Sequence, residues 1–534
     1  MKADYFIKKN GLIIIGFLFF YIFGLHIAGD YGISWDENVR RYAAQSNIKT
    51  LADMIGLDDA RLDSIPSIDK NFYAYAKPTG MIYGIPAVLI EELFGYDSMR
   101  DIFIMRHKLN FSFHFIGIIA FFFFSRIVFK NSNRAIFATL IYSLHPRIFA
   151  HGFFNPKDII FLSIIPIFLL ATVHFFQKQN LMQLILLGVS LGIAISCRIV
   201  GVYLPFLVVI IFFCYKVFNF RKTSKTYLIS VIKNASSIII ISFITAYIFI
   251  PYFWGNPIQY FIDTFAAAKN FSWSGNNFYF GEFISARTVP WHYIPTWFSI
   301  TTPIIFLIFL LMGFLFMFKD IKWRLWNDYI IYLCFSGIFI PLISAILFKS
   351  TLYDGWRHFY FTYAFISTII SYGAFRFYNF IQVNNKLFLK VGFVFIFFFG
   401  TIKQIIEMHP YQHTFFNFLA GKDPMLNFEG DYWGTSYRSG LEYILKNDSN
   451  DTIFISVANV PGSLNRHIIP DFDKKRLVYD FMSKWNNKPD YYLTNFRGSV
   501  SDYIKSNKKE KPFDNEVYSI TVGGMKILGV YKVL

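Results

Sequence analysis

The sequence predicts an α-helical polytopic membrane protein, with about eleven transmembrane helices and a small C-terminal extracytoplasmic α/β domain. Three observations carry this. Of 534 residues, 55% are hydrophobic, Phe alone supplies 68, and the mean hydropathy is +0.41. Apolar stretches near the ~20 residues that cross a bilayer recur along the chain. From about Glu407 they stop and charged residues become frequent. Such a composition excludes an ordinary soluble multidomain protein. The net charge of +17 lies largely in short connections between apolar stretches, so it is no nucleic-acid signature.

The first span is expected over residues 11–29, where His26 is the one ionisable residue. Lys2, Lys8 and Lys9 precede it, as in a signal peptide, but no small-residue cleavage site follows, so it reads as uncleaved. Further spans are expected over 109–128, 135–150, 159–176, 181–196, 200–217, 228–251, 297–318, 328–348, 359–378 and 388–406. Cys197-Arg198 interrupts the region 181–215. Short loops bearing Lys130 and Arg134, Lys178, Arg221, Lys222 and Lys225, Lys319, Lys322 and Arg324, and Arg376 and Lys386 alternate to the side of the N-terminal lysines. That side is cytoplasmic by the positive-inside rule. The long segments 30–101 and 251–296, and the tail, fall on the opposite face.

The chain therefore divides into a membrane part, 1–406, and an outer domain, 407–534. In the tail, 441–446 reads as the end of a helix, and 452–457, 491–495, 517–521 and 526–533 as strands. Asp448, Asn450 and Asp451 make a turn before the first strand. Cys197, Cys214 and Cys334 lie in or beside apolar spans and form no disulfide framework.

Residues suited to chemistry gather on the outer side. Ser34-Trp35-Asp36-Glu37 follows the first span. Ser34 and Glu37 have the spacing of a capping box, and acids favour a helix start, yet Asp36 is also placed to act as a general base at headgroup level. Tyr73 to Pro78 ends the first outer loop, with Lys77 either snorkelling at the interface or binding a lipid phosphate. His145-Pro146-Arg147, His151 and Asn155-Pro156-Lys157-Asp158 join two spans. Asn155, Pro156 and Asp158 suit a helix start, but the cluster holds more polar groups than a cap needs. Its two histidines are six residues apart, a poor helical spacing for a metal. Tyr353-Asp354-Gly355-Trp356-Arg357-His358 sets Arg357 either against an anionic headgroup or against Asp354. His409 to Gln412 and Asp431-Tyr432-Trp433-Gly434 follow the last span, where Trp433 reads as docking the tail. The aromatic segment 273–297, with Glu282 and Arg287, is open to reading as a gate, a saccharide platform or an interfacial helix.

In order and sidedness these clusters resemble the membrane glycosyltransferases of the GT-C superfamily. The nearer likeness is to the family-39-like branch of protein O-mannosyltransferases and the lipid A aminoarabinose transferase. The resemblance rests on Asp36-Glu37, Lys77-Pro78, Lys157-Asp158, Tyr353 to His358, His409 to Gln412 and Asp431 to Gly434. It implies inverting transfer of a sugar from a polyprenyl-phosphate donor to a hydroxyl of a lipid, glycan or protein acceptor, at the outer face of a bacterial inner membrane. The implied catalytic residues are Asp36, Glu37 and Asp158; the donor phosphate falls to Lys77, Lys157, Arg357 and His358. Where aminoarabinose transferases often carry Glu before the lysine, this chain has Ala76, so the resemblance does not carry their donor sugar over. No cofactor is required; a divalent metal is possible but not predicted. The expected partners are the lipid-linked donor, the acceptor and membrane lipids, with no nucleic acid. A flippase, or a non-catalytic binder of lipid-linked sugars, would use the same bases. Few charges lie mid-span, which favours chemistry on one side.

Overall fold

The computed structural model describes residues 2–57, 79–219, 224–269, 275–320, 329–380, 387–479, 489–505, 510 and 512–533. Arg221, Lys222, Lys322, Arg324 and Lys386, used above for orientation, lie outside them. Among the described residues six helices are long and apolar enough to cross a membrane: Gly11–Asp30, Met99–Phe129, Asp158–Lys178, Ile199–Val217, Lys225–Ile248 and Tyr329–Leu347. The apolar helix Leu181–Cys197 is slightly shorter, and Ile304–Asp320, Tyr363–Phe380 and Leu387–Glu407 occupy three more expected positions.

Two expected spans are broken. Region 135–150 divides into Ser132–Ser143 and Pro146–Phe154, because the ring of Pro146 clashes with a preceding turn and opens a new helix. Twelve residues rise about 18 Å, short of the ~30 Å hydrocarbon core. Region 297–318 likewise splits at Pro303 into Tyr293–Thr301 and Ile304–Asp320. Both breaks set polar loops among packed helices.

Helix Asp158–Lys178 is the hub: 83% of its apolar window is buried, with Met99–Phe129 and Leu181–Cys197 against it. Ile304–Asp320 and Tyr363–Phe380 pack tightly at Gly313 and Gly373, where an added Cβ would lie 2.2 Å from the carbonyl oxygens of Ile369 and Phe309. Small residues at such crossings let helix backbones pack without side-chain displacement.

Beyond Glu407 a five-stranded sheet forms from β3 (Ile453–Val457), β4 (Leu477–Tyr479), β5 (Tyr491–Thr494), β6 (Glu516–Val522) and β7 (Met525–Lys532), in the order β4-β3-β5-β7-β6. β3 runs parallel to β4 and β5; β7 is antiparallel to β5 and β6. The four expected strands are present, with the three-residue β4 in addition. Helix Tyr437–Asn447 covers one face through Tyr437, Leu441 and Ile444. The same core takes in Ile33 and Phe103, so the sheet region packs directly on the first loop and on Met99–Phe129. The aromatic segment resolves into a hairpin, β1 (Asn276–Tyr279) with β2 (Glu282–Ser285), and the helix Tyr293–Thr301.

Candidate functional site

Helix Trp35–Met54 starts with the anticipated capping box, and the Ser34 amide donates to Glu37 Oε1 at 2.7 Å. Glu37 Oε2 meets His107 Nε2 at 2.9 Å, and the side chain is 4% exposed. Both oxygens of Glu37 are thus engaged by the fold, one by the cap and one by His107. Asp36 is 19% exposed, with Oδ2 3.2 Å from Arg357 Nη1. The preceding strand of chain is clasped by the tail: Asn465 Oδ1 accepts from the Ile33 amide, and Asn465 Nδ2 donates to Ile33 O, each at 2.9 Å. Arg438 Nη1 donates to the carbonyls of Gly29 and Tyr31. Gly32 permits the approach, since a Cβ there would lie 2.2 Å from Thr435 O.

Asn155 organises the second cluster. Its Oδ1 accepts from the amides of Asp158 (2.9 Å) and Lys157 (3.3 Å), satisfying two donors at the start of Asp158–Lys178. Its Nδ2 donates to Asp158 Oδ2 at 3.2 Å. Asp158 is 1% exposed and sits between two guanidinium groups, Arg198 on Oδ1 and Arg357 Nη1 at 3.3 Å from Oδ2. The third cluster turns at Asp354 and Gly355, both at positive φ (57° and 71°), which a short polar side chain and glycine adopt most readily. Asp354 Oδ2 is 3.1 Å from Arg357 Nη2, and its Oδ1 is 2.6 Å from Arg497 Nη2 of the tail. Arg357 is sandwiched by Tyr353 and Trp433, 4.8 and 4.7 Å from the ring centroids.

Beside this network lies a cavity of about 350 Å³. Lys157, Arg198, His358 and Thr79 mark its polar end; Val200, Ile340, Pro341, Phe348 and Phe359 line an apolar remainder along Tyr329–Leu347. Burial, then the charges of Arg40 and Arg198, push the Lys157 ammonium well below the usual lysine range. Burial and the neighbouring Arg357 and Arg198 push the His358 imidazole well below its usual value, so it is neutral at pH 7. His358 therefore offers a hydrogen bond, not the cation expected of it. Arg357 does not line the cavity; its partners are carboxylates. Lys77, with the rest of the 73–78 cluster, lies outside the described residues. Among the described residues no group of three or more His, Cys, Asp or Glu is arranged to hold a metal ion.

Two arginines were not expected here. Arg198 was visible in the sequence as a charge interrupting an apolar region, and an ionisable residue in such a setting is itself a functional signal. Arg497 carries no local signal; only the fold of the tail brings it to Asp354.

Residues 93–249 match the family model described as dolichyl-phosphate-mannose-protein mannosyltransferase. The matched segment contains His151, Lys157, Asp158 and Arg198 and leaves Asp36 and Arg357 outside. It supports the resemblance to GT-C membrane glycosyltransferases. Among solved structures, the chain is similar to ArnT from Cupriavidus metallidurans, described as bound to undecaprenyl phosphate, with 13% identity, 98% of each chain covered and a TM-score of 0.41. No curated protein matches.

Proposed function

We propose that this chain is an inverting glycosyltransferase that moves a hexosyl or pentosyl group from a polyprenyl-phosphate donor to an acceptor hydroxyl of a cell-envelope glycan, lipid or protein. The observation that carries the reading is the cavity: lined at one end by the Arg198 guanidinium and the Lys157 amine, whose protonated form a bound phosphate would favour, apolar along a spanning helix, and adjoining the Asp158–Arg357–Asp36 chain. Its two ends suit a phosphate and the start of a polyprenyl tail. Reaction takes place at the outer face of a bacterial inner membrane, the face assigned to these loops by the charge pattern. The N-terminus is cytoplasmic, and residues 407–534 form an outer domain on the membrane part, 1–406.

The acceptor oxygen attacks the sugar C1, the C1–O bond to phosphate breaks, and the bonding pair stays on the phosphate. Charge accumulates on that phosphate, where Lys157 and Arg198, with Lys77 from the first loop, stabilise it; loss of one such contact costs ~10²–10³-fold in rate. The acceptor proton passes to Asp36, a contribution of ~10²–10⁴-fold. Arg357 holds one oxygen of Asp36 and orients the carboxylate. Asp158, whose two oxygens meet guanidinium groups, positions Arg198 and Arg357. Glu37 caps the helix that presents Asp36.

The test is Asp36→Asn, assayed by mass spectrometry of envelope glycans from cells with and without the protein and by binding of undecaprenyl phosphate to purified protein. The expected result is loss of the transferred sugar with retained binding. Normal sugar transfer in the variant would refute Asp36 as base.

A further inference from the structure

We propose that Arg497, from the C-terminal sheet region, is a positioning residue for Asp36, acting through Asp354 and Arg357. The inference rests on the reading of Asp36 as the base.

Three carboxylates compete for one guanidinium. Arg357 faces Asp36 at 3.2 Å and Asp158 at 3.3 Å with Nη1, and Asp354 at 3.1 Å with Nη2. Asp158 and Asp354 are almost fully buried, and buried carboxylates draw strongly on any cation in reach. Each has a second arginine: Arg198 on Asp158, and Arg497 on Asp354 at 2.6 Å. The three acids and three arginines balance. Glu429, beside Arg497, is pushed up to about 7, chiefly by burial, and so adds only part of a negative charge at neutral pH. This division leaves Arg357 Nη1 available to Asp36, whose side chain it hydrogen-bonds, while the charge of Lys157 acts on Asp36 from further off.

Arg497 is itself fixed. It follows Phe496, which has φ +63°, at the end of β5. Its amide donates to Asn495 Oδ1 at 3.3 Å, and its Nη1 donates to Tyr432 O at 2.7 Å. Its guanidinium stands 5.5 Å from the ring centroid of Trp35, the residue before Asp36. Without Arg497, Asp354 has Arg357 alone. A planar guanidinium satisfies such a carboxylate best in a two-pronged pair, which would turn Nη1 away from Asp36.

The experiment uses the full-length protein with Arg497→Ala, Arg497→Lys, Arg497→Gln and the double variant Arg497→Ala/Asp354→Asn. Sugar transfer in cells is quantified by glycan mass spectrometry. The exposure of Asp36 is read on purified protein by carbodiimide–amine labelling and peptide mapping. Arg497→Ala is expected to lower transfer by ~10²-fold, the scale of a misplaced reacting group, and to raise Asp36 labelling. Asp354→Asn in that background should return both towards wild type by removing the competing carboxylate; Arg497→Lys should retain most transfer. If Arg497→Ala does not fold, Arg497→Gln takes its place. Unchanged transfer and labelling without Arg497, or no recovery with Asp354→Asn, would overturn the inference; the latter would mark Arg497 as merely holding the tail. Asp36→Asn separates the two readings. If it transfers normally, the base assignment fails; if it is inactive while Arg497→Ala is unaffected, only the relay fails.

Discussion

Replacing Arg198 by Gln separates phosphate binding from stability. Arg198 faces the cavity and also meets Asp158 Oδ1. A hydrogen bond to a charged group contributes about 1.5–3 kcal/mol, so losing the phosphate contact should raise the Kd for undecaprenyl phosphate by roughly 10- to 150-fold. The second effect falls on Asp158, 1% exposed, which keeps Arg357 at 3.3 Å and Asn155 Nδ2 at 3.2 Å. Breaking a buried pair outright costs about 3–5 kcal/mol, and with two partners remaining the loss should be nearer 1–3 kcal/mol. Binding measured by native mass spectrometry on purified protein, with melting followed in parallel, reads both. Adding Asp158→Asn removes the half-paired carboxylate, so it should recover stability but not affinity. Wild-type affinity in Arg198→Gln would refute the assignment of the phosphate to this end of the cavity.

Two further expectations concern pH. Lys157 is held well below the usual lysine range by burial and then by Arg40 and Arg198, and a bound phosphate favours its protonated form. Binding should take up a proton, so affinity for undecaprenyl phosphate should fall as pH rises above about 7, where the phosphate is already largely dianionic. Lys157→Met should abolish that slope, and a pH-independent wild-type affinity would count against the contact. The carboxyl of Glu429 is raised from its ordinary 4.5 to about 7, first by burial. The folded state therefore holds this proton more tightly than the unfolded chain, and stability declines as pH rises from about 4.5 to about 7. At 1.36 kcal/mol per pH unit the decline is about 3 kcal/mol. Melting curves of Glu429→Gln should lack this decline; an unaltered profile would place the titration elsewhere.

The membrane character, the tail strands and most helix positions are legible in the sequence because bilayer thickness and strand alternation impose periods that a linear reading detects. The breaks before Pro146 and Pro303 are harder to foresee. Pro303 lies within an apolar run and Pro146 near the end of one, beside His145 and Arg147, and only packing decides whether a proline kinks a helix or ends it. Asp36, Asp158, Lys157 and Arg357 are brought together as the shared sidedness of their loops suggests. What sidedness does not encode is pairing. Arg357 reads as a phosphate ligand until three acids are seen around it, and His358 reads as a cation until burial beside two arginines is taken into account. Glu37 could have been assigned from its capping-box spacing alone, although its His107 partner lies seventy residues away. Arg497 and Asn465 fall among ordinary tail residues, and their importance is purely tertiary.

The clasp of Asn465 on Ile33 spans 432 positions of chain, and this bears on how the protein is made. Synthesis delivers the first span and Asp36 early, while Arg438, Asn465 and Arg497 emerge near the end. Until they do, residues 29–34 have only their contacts to the membrane part, such as Ser34 Oγ on Phe154 O and Tyr31 on Phe153, and Asp354 lacks its second arginine. A chain interrupted before the sheet region carries the three carboxylates without the arginine that the tail sets on Asp354. On the proposed reading, a stalled or clipped product should therefore transfer no sugar, which cells expressing the chain cut at residue 436 would test.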